Sequence, residues 1–119
     1  MTERDWHDVG ALDELRGAGG VVVRIGGREI GVLADPVTGD VHAVRNRCPH
    51  HGAPLCRGTL RTRLEGAPGG YALGDRRVLA CPWHGWEFDL ASGRCIDDDR
   101  MRVATYPVRV DDGRVLVQA

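Results

Sequence analysis

Two short stretches constrain this chain more than anything else in it: Cys48-Pro49-His50-His51-Gly52 and Cys81-Pro82-Trp83-His84-Gly85. Each joins a thiol to an imidazole, but the spacing is C-x-H in the first and C-x-x-H in the second. Proline after each cysteine fixes φ, and glycine at the end permits a positive φ or a close approach of backbone amides. Both therefore read as stiff loops carried by a scaffold, where binding sites are usually placed. The N-terminus is charged from Glu3 and lacks an apolar core, so no signal peptide is evident and a cytoplasmic setting is expected. Thiols stay reduced there, and a cysteine cluster points to metal before disulfide.

The scaffold reads as strands. "VVVRI" (21–25) and "REIGVLAD" (28–35) flank Gly26-Gly27, a two-residue hairpin turn. "DPVTGD" (35–40) turns into "VHAVRN" (41–46), and Asp111-Asp112-Gly113 joins "TYPVRV" (105–110) to "RVLVQA" (114–119). A single short helix is expected over 8–16, with Asp8 as its N-cap. This density of turns predicts an all-β fold, a small antiparallel β-sandwich or barrel, in one domain spanning 1–119. Between the loops, residues 57–79 form an excursion, expected to be a hairpin with turns at "APGG" and "LGD". Its Arg57, Arg61, Arg63, Arg76 and Arg77 outnumber Glu65 and Asp75, which suggests a solvated basic face or a docking patch for an acidic redox partner. The formal net charge of −1 gives no reason to expect nucleic acid, and no apolar run is long enough to span a membrane. All 16 basic residues are arginine, a compositional habit without functional meaning.

Structural zinc knuckles present two like ligands per loop at C-x(2–4)-C or H-x(3–5)-H spacing. One sulfur and one nitrogen from each loop suit a dinuclear centre better, with Cys48 and Cys81 on one iron and His50 and His84 on the other. "CPHHG" and "CPWHGW" resemble the paired boxes of Rieske-type 2Fe–2S proteins, closest to bacterial Rieske ferredoxins and the N-terminal Rieske domains of oxygenases. The resemblance extends over about residues 20–118. It implies a Rieske-like antiparallel β-sandwich with a small cluster-binding subdomain at one tip, and one 2Fe–2S cluster held by loops at about 47–57 and 80–89. Gly52, Gly85, Trp83, Trp86 and Phe88 are then expected around the ligands, the glycines admitting backbone amides and the aromatic residues excluding water.

Departures from the family refine the expectation. Respiratory Rieske proteins carry a disulfide at positions that here hold Ala53 and Trp83. They place hydroxyl side chains where this chain has Trp86 and Phe88, so less stabilisation of the reduced cluster is expected and a potential near the low end of the range, about −150 mV. The segment 96–104, "IDDDRMRVA", is acidic where many relatives are proline-rich, and could guide a basic partner. Cys56 and Cys95 are expected as buried free thiols, and His7, His42 and His51 as non-ligands. The resemblance implies an electron carrier, not itself an enzyme, working between a flavin-dependent reductase and a terminal oxygenase. A 119-residue chain is expected to lack a second domain for a 2-His-1-carboxylate iron site. The alternatives are an accessory small subunit of a reductase such as nitrite reductase and, more remotely, a structural zinc module.

Overall fold

The computed structural model describes residues 5–49, 52–65, 72–83, 85–96, 98 and 100–119. In chain order the elements are β1 (Trp6–Ala11), α1 (Leu12–Ala18), β2 (Gly20–Ile25), β3 (Arg28–Ala34) and β4 (Val41–Arg45). A 3-10 turn (Leu55–Arg57) and β5 (Thr59–Glu65), β6 (Ala72–Ala80) and β7 (Glu87–Asp89) follow. The chain ends with β8 (Thr105–Tyr106), β9 (Val108–Asp111) and β10 (Arg114–Gln118). All pairing is antiparallel, in sheets ordered β1-β10-β9, β2-β3-β4-β8 and β5-β6-β7.

Within the middle sheet β3 is buried on both faces, its successive side chains entering different cores. Ile30, Val32 and Ala34 enter one core with Leu15 of α1, Tyr106 and Val115 and Val117 of β10. Leu33, between them, enters a second core with Val44, Leu55, Leu79 and Phe88. The first core closes the sandwich, and the second joins it to the β5-β6-β7 sheet; the Cys48 loop leaves β4 of the middle sheet, and the Cys81 loop joins β6 to β7. Gly31, on the Leu33 face, lets the 3-10 turn approach, since a Cβ there would meet the Cβ of Cys56 at 3.1 Å.

The two-residue turns are as expected: Gly26 and Gly27 have φ of 58° and 78°, and Asp112 and Gly113 have 50° and 76°. Two expectations are corrected. Residues 8–11 belong to β1, and α1 starts at Leu12 behind Ala11, which makes no side-chain cap. Asp8 instead accepts the N–H of Gly10 at 3.0 Å and pairs with Arg114 at 2.9 Å, serving an irregularity in the β1–β10 ladder. The strand expected over 105–110 divides at Pro107, which has no N–H for the ladder; its carbonyl accepts from Gln118 at 3.0 Å.

The excursion at 57–79 is a β5–β6 hairpin. "APGG" (67–70) lies outside the described residues, whereas "LGD" (73–75) is strand, not turn, with a register shift opposite it between Thr62 and Leu64. Of its basic residues Arg57 and Arg61 are exposed, as a solvated face requires, whereas Arg77 is corrected. Arg77 turns inward and clamps the buried Asp35 through Nε–Oδ2 at 2.8 Å and Nη2–Oδ1 at 2.7 Å, while Nη1 donates to Thr62 Oγ1 at 2.7 Å. Arg61 pairs with Glu87 at 2.9 Å. The side chains of Arg63, Glu65, Asp75 and Arg76 lie outside those described. Among the described residues no helix is long and apolar enough to cross a membrane.

Candidate metal centre

Both cysteine loops close in the same way. Cys48 N–H donates to the Ala53 carbonyl at 2.8 Å, and Gly52 N–H returns to the Cys48 carbonyl at 2.8 Å. Cys81 N–H donates to the Trp86 carbonyl at 2.8 Å, and Gly85 N–H returns to the Cys81 carbonyl at 2.9 Å. Gly52 and Gly85, with φ of 79° and 70°, hold the left-handed position that ends each loop. Register explains the second loop: β6 and β7 pair Leu79 with Phe88 and Ala80 with Glu87, which leaves Cys81 and Trp86 as the closing pair. The first loop leaves the end of β4 and is tied down by Asn46. That residue donates its N–H to Glu29 at 2.9 Å and accepts the Cys56 N–H on Oδ1 at 2.8 Å.

Cys48 and Cys81 are 1% and 3% exposed and belong to one buried cluster with Ala53, Leu55, Leu79 and Phe88. No disulfide joins any of the four cysteines. Burying a thiolate among apolar groups is costly unless a cation neutralises it. Two cysteines buried in one such cluster are therefore inert thiols or metal ligands, and the donor set fits the sulfur half of an iron–sulfur site. His50, His51 and His84 lie outside the described residues. Among the described residues no three metal-ligating side chains converge.

Of the expected surrounding residues, Phe88 is fully buried in the cysteine cluster and Trp86 packs against it half-buried. Trp83 is 58% exposed. Cys95 is buried in the same cluster, and its backbone bridges Phe88. Cys56 is only half-buried, which corrects that expectation. His42, half-buried on β4, has its pKa pushed down by burial and stands apart from the cysteine cluster.

Sequence reasoning missed three positioning residues. Besides Asn46 they are Gly58 and Gly93, where a Cβ would sit 2.2 Å from the Ala80 carbonyl and 2.1 Å from the Val103 carbonyl. Gly58 thereby lets the 3-10 turn lie against the residue preceding Cys81. No local signal marks either glycine, because the carbonyl it makes room for is brought close only by folding.

Two cysteine loops, one leaving the β-sandwich and one in the small antiparallel sheet docked on it, define a class of iron–sulfur electron-transfer domain. The Rieske-like [2Fe-2S] domain family matches residues 5–118, and the chain belongs to that family. Its cofactor is accordingly one 2Fe–2S cluster. The chain is 30% identical over 118 residues to the ferredoxin component of the naphthalene 1,2-dioxygenase system of Pseudomonas aeruginosa, covering 98% of this chain and 97% of that protein. It is 34% identical over 104 residues to the 4beta-methylsterol monooxygenase of Methylococcus capsulatus, covering 78% of this chain but spanning only 24% of that protein. A solved structure from Mycobacterium tuberculosis, named as an NADH-dependent nitrite reductase small subunit, superposes with a TM-score of 0.82 at 31% identity, over 99% of this chain and 97% of that one.

Proposed function

We propose that this chain is a Rieske-type ferredoxin, one domain over 1–119, that passes single electrons from a flavin-dependent reductase to a terminal oxygenase in the cytoplasm. Cys48 and Cys81 hold one iron, and His50 and His84 hold the other. When bound, the 2Fe–2S cluster supplies a one-electron couple that no side chain of this chain provides. The chain's own part is to hold the ligands still and keep water from the sulfurs. The paired closures do the first, and burial among Leu55, Leu79 and Phe88 does the second. Neutral imidazoles on one iron leave the site with less negative charge than four thiolates, which eases reduction. Phe88 offers no hydroxyl to the sulfurs, so the potential falls at the low end of the Rieske range, about −150 mV. The protein moves electrons and transforms no substrate itself.

The observation that carries this reading is the pair of buried, unbridged cysteines at the heads of two identically closed loops. Replacing His84 with cysteine tests it: the midpoint potential falls if His84 is a ligand, whereas an unchanged optical spectrum and potential remove it from the site. A second reading, an accessory small subunit of a nitrite reductase, is favoured by the likeness to the Mycobacterium tuberculosis protein. The two are separated by mixing the reduced protein with an oxygenase component and, separately, with a nitrite reductase large subunit. The carrier reading expects stoichiometric electron delivery to the first. The accessory reading expects a stable complex with the second.

A further inference from the structure

Beside the first cysteine loop lies a concavity of about 200 Å³, lined by Arg24, Glu29, Arg45, Asn46, Arg47 and Gly52. Arg47 precedes Cys48 in the chain and is exposed, and its guanidinium lies over Gly52, 3.6–3.7 Å from where a Cβ would stand. Arg45, at the end of β4, is also exposed. Arg24 makes a loose 3.5 Å pair with Glu29, the only carboxylate among the described lining residues. Among the described residues neither Arg45 nor Arg47 has a carboxylate partner, so the concavity carries a net charge of about +2 at neutral pH. Other charged candidates are neutralised in place: Arg77 by Asp35, Arg61 by Glu87, and Asp98 by Arg100 at 2.9 Å.

We propose that this arginine concavity, adjoining the Cys48 loop, is the docking surface for an acidic face of the protein that exchanges electrons with the cluster. The assignment rests on the carrier reading and names the chemistry of the partner. Guanidinium forks suit surface carboxylates, which they can hold in pairs. A basic rim at the entry loop steers an acidic partner to the cluster end and orients it there. The polar lining, with Asn46 among the arginines, suits carboxylates better than an apolar anchor.

The test uses the cluster-loaded protein and a strongly acidic plant-type ferredoxin as probe, which has the lower potential and so gives one electron to the oxidised cluster. Binding of the oxidised probe is measured by biolayer interferometry, and electron transfer from the reduced probe by stopped flow. With both arginines intact, affinity and second-order rate fall as salt rises. Arg45→Glu with Arg47→Glu lowers both by about tenfold or more at low salt, and high salt removes the difference. The milder Arg45→Gln with Arg47→Gln shows the same trend at smaller size. An Arg16→Glu with Arg109→Glu variant, equal in charge change but on α1 and β9, leaves most of the rate intact. Basic cytochrome c, as acceptor from the reduced protein, is not slowed by the Arg45/Arg47 reversal.

Three results overturn the assignment. One is indifference of binding and rate to the Arg45/Arg47 reversal. Another is equal slowing with the acidic and basic probes, which places the arginines' effect within the cluster. The third is saturable blocking by millimolar phosphate at constant ionic strength, which marks a small-anion site. If instead the purified protein gives no reducible cluster signal, the carrier reading fails before the docking surface is tested.

Discussion

Asp35-Pro36-Val37-Thr38-Gly39 and the two cysteine loops have the same length, begin with the same X-Pro step and end on a glycine of positive φ. Their closures match as well: Asp35 N–H donates to Asp40 at 2.8 Å, and Gly39 N–H returns to Asp35 at 2.9 Å. What differs is the first side chain. The Asp35 carboxylate accepts the Val37 N–H at 2.9 Å and meets the Arg77 fork, so its charge is neutralised by the protein itself. Cys48 and Cys81 place polarisable sulfur in an apolar cluster, where metal is the natural source of positive charge. The hairpin is thus a general device of this fold, and one atom type at its head separates a structural turn from the proposed ligand loops.

The largest effect expected from breaking this contrast is loss of the cofactor. Cys48→Ser or Cys81→Ser reduces bound iron per chain more than about tenfold, read by metal analysis and visible absorption. Retention of full iron by either variant removes that cysteine from the ligand set.

The Asp35 loop breaks in another way. Arg77→Met leaves a buried carboxylate without its cation and destabilises the fold by about 3 kcal/mol in denaturant titration. The pH dependence carries a sign. The Arg77 hydrogen bonds hold the Asp35 carboxyl at about 2, below its ordinary 3.8 and against the upward push of burial. This contribution is complete above pH 3.8 and is lost as pH falls through about 2, amounting to on the order of 2 kcal/mol. The Arg77→Met variant loses most of that slope; an identical slope in both proteins contradicts the assignment.

How much of this was legible beforehand depended on whether a signal was local. The terminal glycines of both loops, the Gly26-Gly27 turn and the strand expected over 28–35 are written in neighbouring residues, and the structure agrees with each, the strand ending one residue earlier. Asp8 looked like a helix cap because its Arg114 partner is far away in sequence. Arg77 looked solvated because nothing near it announces Asp35, which a different sheet delivers. Asn46, Gly58 and Gly93 escaped for the same reason, since each acts on a backbone group brought close only by folding. His50 and His84 were assigned from spacing and resemblance alone.

Glycine substitutions sharpen the comparison at smaller amplitude. Gly85 and Gly93 have nearly equal φ, 70° and 77°, but among the described residues a Cβ at Gly85 meets nothing within 4 Å while one at Gly93 strikes the Val103 carbonyl. Gly85→Ala then costs only the left-handed backbone, about 1 kcal/mol, and Gly93→Ala costs clearly more. Equal costs in thermal or denaturant unfolding contradict the steric account. Smaller still is Phe88→Tyr. A hydroxyl donating to a sulfur stabilises the reduced cluster by about 1 kcal/mol, raising the midpoint by about 40 mV in redox titration. A potential that stays put shows that residue 88 does not reach the sulfurs.

The central claim is that the two loops supply sulfur to one iron and histidine nitrogen to the other. Pulsed EPR on the dithionite-reduced protein, labelled with 15N-histidine, addresses it directly. The account predicts hyperfine coupling to two histidine nitrogens, one of which disappears with the His84→Cys substitution. A reduced 2Fe–2S signal without histidine coupling, or a colourless zinc-loaded protein with no signal, contradicts it.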